Sequence, residues 1–318
     1  MQISRLIRAA ALLLAGALGF LGSSSLAFAT AETREPVMVA MGDSYSSGEG
    51  ACTPQTARNC AYIAGSDTPV DRCHRSTRAW PYLAGQSLLA AGTIRGFEFV
   101  ACSGSRIQDL YQPNHRYPLD GPGSQFDRLR AISSDPARYV KAVTLTIGGN
   151  DQDFSGVIVS CILRGTPCVR KHQKVPDAEF VRRLRVAYRD IHRAAPEAHL
   201  FVLGYPHLFP NPAFAWRCDM PPVAAAWIRD RIDHIDTLIG RAVRQVDTHM
   251  SSRFASFVST AHAFDGHELC RERRDRRVSY VNGLLPLPPV RPESFHPDIP
   301  GQQALFRALR GSLGVLPH

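Results

Sequence analysis

Pro36-Val37-Met38-Val39-Ala40-Met41-Gly42-Asp43-Ser44-Tyr45-Ser46 is a short apolar run that breaks abruptly at glycine, aspartate and serine. An apolar run bounded by turn residues reads as a buried strand that delivers a polar turn. The same punctuation recurs downstream. Phe97-Glu98-Phe99-Val100 leads to Cys102-Ser103-Gly104, Val143 to Ile147 stops at Gly148-Gly149-Asn150-Asp151, Leu200 to Leu203 runs into Gly204-Tyr205-Pro206, and Phe254 to Val258 offers a fifth strand. Helical periodicity fills the gaps. Phe180, Leu184, Ala187 and Ile191 recur on one face behind a cap expected at Asp177, and Trp227, Ile228, Ile232, Ile235, Ile239, Ala242 and Val246 make a longer stripe. A last helix is expected to start near Pro300, capped by Asp298, with Leu305 and Leu309 inward. Strands alternating with helices predict an α/β domain with a parallel sheet. Ligands of such sheets bind beyond the carboxyl ends of the strands. Three of the strands end in Gly/Ser/Asn turns, so one crevice is expected to gather them.

The bulk numbers bound the rest. The chain has 318 residues and is 44% hydrophobic, enough for one sizeable core. Arg5 and Arg8, the apolar run Ala9 to Leu21 and the small-x-small site Ala27-Phe28-Ala29 read as a secretory leader over 1–29, ahead of a single catalytic domain over 30–318. That run is short of the roughly 20 apolar residues that span a bilayer. The expected mature protein is therefore soluble and extracellular. Eight cysteines, all beyond the leader, read first as disulfides in such a compartment. There is no C-x-x-C pair and no H-E-x-x-H, so zinc spacing is missing and no metal or other cofactor is expected. The formal charge of +9 drops to +7 without Arg5 and Arg8. Its basic residues are scattered rather than gathered among aromatics, which speaks against nucleic acid and leaves peripheral contact with anionic lipid or cell wall as the partner reading. Oligomeric state is not legible.

Acyl transfer needs a nucleophile, a base and donors for the oxyanion. Ser44 stands at a strand-to-turn junction between Gly42 and Gly48, where the backbone can turn sharply and expose the hydroxyl. Gly104 offers an unobstructed N–H and Asn150 a side-chain amide, each at another strand end. His296 precedes the last helix, with Glu293 three residues upstream. Asp43, Asp151 and Asp153 read as structural, as do His74, His207 and His267.

Those residues, in that order, carry a resemblance. Gly42-Asp43-Ser44-Tyr45-Ser46, Gly104, Gly148-Gly149-Asn150-Asp151 and His296-Pro297 resemble the four blocks of the SGNH (GDSL-type) hydrolases. Cys73-His74-Arg75-Ser76, Ala101-Cys102-Ser103-Gly104, Phe264-Asp265-Gly266-His267 and Ser294-Phe295-His296-Pro297 are similar to the secreted actinobacterial lipases, phospholipases and esterases of that group. The resemblance implies a flavodoxin-like three-layer α/β/α sandwich with a central parallel sheet. It implies Ser44 as nucleophile, His296 as base, and an oxyanion hole from Ser44 N–H, Gly104 N–H and the Asn150 amide. An α/β-hydrolase would carry G-x-S-x-G, and Ser46 stands where its second glycine belongs. Many family members place Asp three residues before the histidine; here Glu293 is first choice to orient it, with the Ser294 backbone carbonyl as the other device. Local closure pairs Cys52–Cys60 and Cys161–Cys168, and the resemblance pairs Cys73–Cys102 and Cys218–Cys270. The expected activity is a carboxylesterase or lipase, phospholipase A included, on a small-molecule or lipid ester. A carbohydrate deacetylase and a non-catalytic glycan binder are the alternatives.

Overall fold

In the computed structural model of this chain, residues 34–52, 62–68, 71–113, 123–164, 175–210, 221–250, 253–270, 279–285 and 291–316 are described. Arg34–His318 forms one compact unit. The leader expected over 1–29 lies outside the described residues. Among the described residues five parallel strands make the sheet: β1 (Glu35–Gly42), β2 (Gly96–Phe99), β3 (Arg138–Thr146), β4 (His199–Leu203) and β5 (Ala255–Val258). Among the described residues seven α-helices accompany them: α1 (Ser44–Ser47), α2 (Trp80–Ala90), α3 (Gln125–Ser133), α4 (Phe154–Arg164), α5 (Asp177–Ala194), α6 (Pro222–Met250) and α7 (Ile299–Arg310). The strand order is β2-β1-β3-β4-β5. Helices α2 and α7 pack together, while α3 and α6 pack on α5, giving helical layers on the sheet of an α/β/α sandwich.

The central strands bury both faces, as parallel strands between helices must. Val37 to Met41 of β1, Ala142, Val143 and Leu145 of β3, and Leu200 to Leu203 of β4 are buried throughout. The apolar stripes foreseen on α5 and α6 face this core, Trp227 remaining half-buried at the edge. Two details depart from expectation. Strand β3 begins at Arg138, not Val143, because Arg138 pairs with Glu35 and the ladder with β1 runs from there past a bulge between Val37 and Met38. Helix α5 starts at Asp177 itself, Pro176 occupying the cap position; Asp177 pairs instead with His234, 2.9 Å away. Asp298 does cap α7, accepting the Gly301 N–H at 2.8 Å.

The order of the strands fixes where a site can open. From β1 the chain crosses to β2 on one side, and from β3 it crosses to β4 on the other. At such a reversal the loops leaving neighbouring strands diverge and leave a crevice at their carboxyl ends. The turns after β1 and β3 are Gly42-Asp43-Ser44 and Gly148-Gly149-Asn150.

Candidate active site

Strand β1 hands over to the one-turn helix α1 at Gly42, whose φ of 128° only glycine adopts without strain. A Cβ there would stand 2.5 Å from the Thr146 carbonyl oxygen, so β3 also closes the space. Asp43 then caps α1, its Oδ1 accepting the Tyr45 N–H at 2.9 Å. Its other oxygen accepts the Tyr205 hydroxyl at 2.5 Å, and Tyr205 in turn accepts the Gly149 N–H at 2.8 Å. Burial pushes the Asp43 carboxyl up to about 7, against the hydrogen bonds from Tyr205 and Tyr45 that favour its charged form. One tyrosine at the end of β4 thus ties the turn after β1 to the turn after β3.

Ser44 follows, and 252 residues later the chain returns to it. His296 Nε2 lies 2.8 Å from Ser44 Oγ. His296 Nδ1 lies 3.0 Å from the Ser294 carbonyl oxygen. A carbonyl can only accept, so Nδ1 carries the hydrogen and Nε2 presents its lone pair to the serine hydroxyl. The imidazole is buried, which holds its pKa below the ordinary value of 6.5 although the charges of Glu49 and Glu293 and the Ser294 carbonyl pull the other way. Glu293, first choice at the sequence level, does not reach the ring among the hydrogen bonds of His296. Its carboxylate grips the Arg291 guanidinium at 3.2 and 3.3 Å. The reversal has a conformational cause. Phe295 stands at φ 62°, and this left-handed residue folds the Ser294 carbonyl back under the ring two residues on.

The loop carrying His296 is pinned from three sides. Tyr45 donates its hydroxyl to the Phe295 carbonyl at 3.0 Å. Asn282 donates its amide to the Gly50 and His296 carbonyls at 2.8 and 3.2 Å. Gly50, at φ 87°, comes so close that a Cβ would stand 2.6 Å from His296 Cβ.

Ser44, Gly104, Asn150 and His296 line one cleft of about 350 Å³, with Val159, Phe295 and Pro292 as its apolar part. Gly104 stands at φ 80°. Asn150 donates one amide hydrogen to the Ser105 carbonyl at 2.9 Å, which orients the group and leaves its second hydrogen for the cleft. A nucleophile, a base of fixed tautomer and converging N–H donors are what acyl transfer requires.

Comparisons with known proteins give the family. The profile of the GDSL-like Lipase/Acylhydrolase family matches residues 40–304. Lipase 1 of Streptomyces coelicolor is 30% identical over 301 residues, covering 89% of this chain and 93% of the relative. This chain belongs to the GDSL-like lipase/acylhydrolase family. It is a carboxylic ester hydrolase with the SGNH fold. Among solved structures, the extracellular lipase of Streptomyces rimosus superposes with a TM-score of 0.62 at 26% identity, over 87% of this chain and 99% of that one. Phospholipase A1 of Streptomyces albidoflavus NA297 superposes at 0.56 and 24% identity, over 87% and 99%, a likeness of fold.

This acylhydrolase also holds residues that the sequence alone did not single out. Glu49 is fully buried beside the Ser44 turn, its N–H donating to the Ser44 carbonyl at 3.1 Å. Its Oε2 lies 2.6 Å from His74 Nδ1 and accepts the Ser103 hydroxyl at 2.7 Å. Burial works to raise Glu49, but the His74 hydrogen bond and charge outweigh it and hold the carboxyl below its ordinary value. Burial works to lower His74, and Glu49 outweighs it in the other direction. The two form a buried ion pair, with Tyr62 stacked on His74 at 4.7 Å between centroids. Cys73 and Cys102, the residues just before His74 and Ser103, are joined by a disulfide, which ties the two segments that meet Glu49 together next door to Gly104. Cys52, Cys161 and Cys270 are each disulfide-bonded. The pairings expected for them, with Cys60, Cys168 and Cys218, lie outside the described residues. The structural readings of Asp151 and His267 have visible partners: Asp151 accepts the Ile107 N–H at 3.0 Å, and His267 stacks on Tyr280 at 3.8 Å. Away from the cleft, ligating atoms of His207, His262 and Asp265 lie within 4.8 Å of one another, the one group among the described residues spaced to hold a metal; none of the three lines the cleft. No helix among the described residues is long and apolar enough to cross a membrane.

Proposed function

We propose that this chain is a secreted serine esterase of lipase type whose reaction runs through an acyl-enzyme on Ser44. His296 Nε2 takes the Ser44 proton as Oγ attacks the ester carbonyl. The developing oxyanion meets the N–H groups of Ser44 and Gly104 and the amide of Asn150. His296 returns the proton to the departing alcohol, and water repeats the sequence on the acyl-enzyme to release the acid. The Ser294 carbonyl replaces the triad carboxylate in fixing the tautomer and orienting the ring. The observation that carries this reading is the pair of contacts on one imidazole, 2.8 Å to Ser44 Oγ and 3.0 Å to Ser294 O. No step calls for a metal or organic cofactor.

Export of the chain rests on the leader expected over residues 1–29 and on its likeness to a lipase described as extracellular. With residues 30–318 as the catalytic domain and a charge of +7, the protein would meet an anionic lipid surface favourably. Hydrolysis of a short-chain p-nitrophenyl ester tests the reading. Ser44→Ala should cost roughly 10⁴-fold or more with the circular dichroism spectrum unchanged. Full turnover in that variant refutes it.

A further inference from the structure

Strands β4 and β5 pair in parallel as far as Leu203 and Val258, and the pairing outlives the strands. Gly204 N–H donates to the Val258 carbonyl at 3.0 Å, and His207 N–H donates to the Ala261 carbonyl at 3.0 Å. Two histidines far apart in sequence, His207 and His262, are thereby neighbours. Their rings meet edge to face, with centroids 5.5 Å apart. The chain then turns back on itself, the Ala263 N–H donating to the Thr260 carbonyl at 2.8 Å and the Asp265 N–H to the His262 carbonyl at 3.2 Å. This turn sets Asp265 Oδ2 2.9 Å from His262 Nδ1. Ligating atoms of His207, His262 and Asp265 all lie within 4.8 Å of one another.

The three are unequal. His207 is buried, and its Nε2 lies 2.6 Å from Asp233 Oδ1 on α6. A carboxylate accepts, so Nε2 carries the hydrogen and Nδ1 keeps a bare lone pair. Nδ1 has no hydrogen-bond partner among the described residues, and a buried acceptor left unmet costs free energy. A carboxylate behind an imidazole is also how proteins orient a metal-binding histidine and raise its basicity. His262 and Asp265 are the open side of the group. Their side chains are 73% and 54% exposed, so both can turn to admit and receive an ion. Donor atoms around a tetrahedral ion of this kind stand about 3.3 Å apart, which the observed spacing brackets. Charge agrees. The Asp233 and Asp265 carboxylates outnumber the one guanidinium acting on His207, that of Arg229, which donates to the Phe209 carbonyl at 3.3 Å.

We propose that His207, His262 and Asp265 form a binding site for a zinc ion, with Asp233 supporting His207 and water completing a four-coordinate shell. Two imidazoles and one carboxylate suit zinc, whereas calcium and magnesium take oxygen ligands. The ion joins the segment after β4 to the turn after β5 and so braces the carboxyl end of that side of the sheet. It stands apart from the cleft of Ser44 and His296 and takes no part in ester hydrolysis. No short Cys/His spacing announces it, because the pairing of β4 with β5, and not local sequence, brings the donors together.

The test uses untagged protein stripped of metal by a chelator, with Zn²⁺ itself as the probe. Isothermal titration of the wild type should show one Zn²⁺ per chain, and free Zn²⁺ at about 100 times its Kd should raise the melting temperature by about 5 °C. Co²⁺ in its place should give the intense visible absorption of a tetrahedral ion. His262→Ala and Asp265→Asn change exposed side chains outside the cleft. Each should leave the circular dichroism spectrum and the turnover of a short-chain ester unchanged while weakening Zn²⁺ by about 10-fold or more, and Asp233→Asn should weaken it by about 10-fold. Ser44→Ala should bind Zn²⁺ as the wild type does, so the result does not depend on the ester-hydrolase reading. Absence of Zn²⁺ uptake and of a thermal shift in the wild type would overturn the proposal. So would an unchanged affinity in both His262→Ala and Asp265→Asn, which would put the ion on other residues.

Discussion

The two halves of the site are held by different means. Ser44, Gly104 and Asn150 stand in the turns that follow β1, β2 and β3 of a five-stranded sheet, where buried side chains lock the turn after β1 to the turn after β3. His296 sits on an irregular loop ahead of α7 and owes its place to side chains: Tyr45 on Phe295, Asn282 on Gly50 and His296, and the close approach of Gly50 itself. The first half is scaffolded by secondary structure and its donors belong to the backbone or to one anchored amide. The second is scaffolded by packing, and even the partner of its imidazole is a backbone carbonyl. Where a sheet supplies position, substitution acts on chemistry; where packing supplies it, substitution acts on geometry.

That contrast can be broken from either side. On the strand half, Asn150→Ala removes the proposed side-chain oxyanion donor and should lower kcat by about 10²- to 10³-fold with KM little changed and the melting temperature nearly constant. On the loop half, Gly50→Ala drives a methyl against His296 and imposes a left-handed conformation on alanine. The expected loss is about 10²-fold in kcat, the scale of an ångström-sized misplacement, together with a lower melting temperature. A Gly50→Ala enzyme of normal rate would show that the loop yields without cost. Tyr205→Phe then probes the tie between the strand turns. It leaves Asp43 and the Gly149 N–H each short of a partner in a buried site, so about 1–3 kcal/mol of stability and roughly 10-fold in kcat should go, read by denaturant titration and steady-state rates.

The smallest expected effect is the most telling for the loop. Glu293→Gln should cost less than about 3-fold, because the carboxylate binds Arg291 rather than the imidazole. The pH profile sharpens the point. In the proposed reaction His296 acts as a base in its neutral form, and burial lowers its pKa, so kcat/KM should rise with pH through a midpoint below 6.5 and then level off. The Glu293 charge raises the pKa of His296, hence its removal should move that midpoint further down. A loss of 10³-fold or more in Glu293→Gln would restore the carboxylate as the orienting group.

The same contrast explains what the sequence could tell. All five strands and the apolar faces of α5 and α6 were legible because a buried parallel sheet needs apolar runs, and turn residues mark their ends. The amino-terminal half of β3 was not, since Arg138-Tyr139-Val140-Lys141 reads as an interrupted run and only its pairing with β1 makes it strand. Ser44, Gly104 and Asn150 could be picked out because strand ends are where open α/β sheets bind ligands. His296 could be named through its motif, yet its partner could not: Glu293 and Ser294 are both near in sequence, and the choice between them turns on the left-handed Phe295. Glu49 in Gly48-Glu49-Gly50 looks like one more charged turn residue, and only the fold that brings His74 and Ser103 to it reveals a buried pair.

The most direct test of the account is covalent. Diethyl p-nitrophenyl phosphate phosphorylates an activated serine hydroxyl, and intact and peptide mass spectrometry locate the adduct. The account predicts one adduct per chain, on Ser44, forming at a rate that climbs with pH along a single ionisation below 6.5 and that drops by about 10³-fold or more in His296→Asn. An adduct on another residue, or labelling of Ser44 at an undiminished rate without His296, would contradict it.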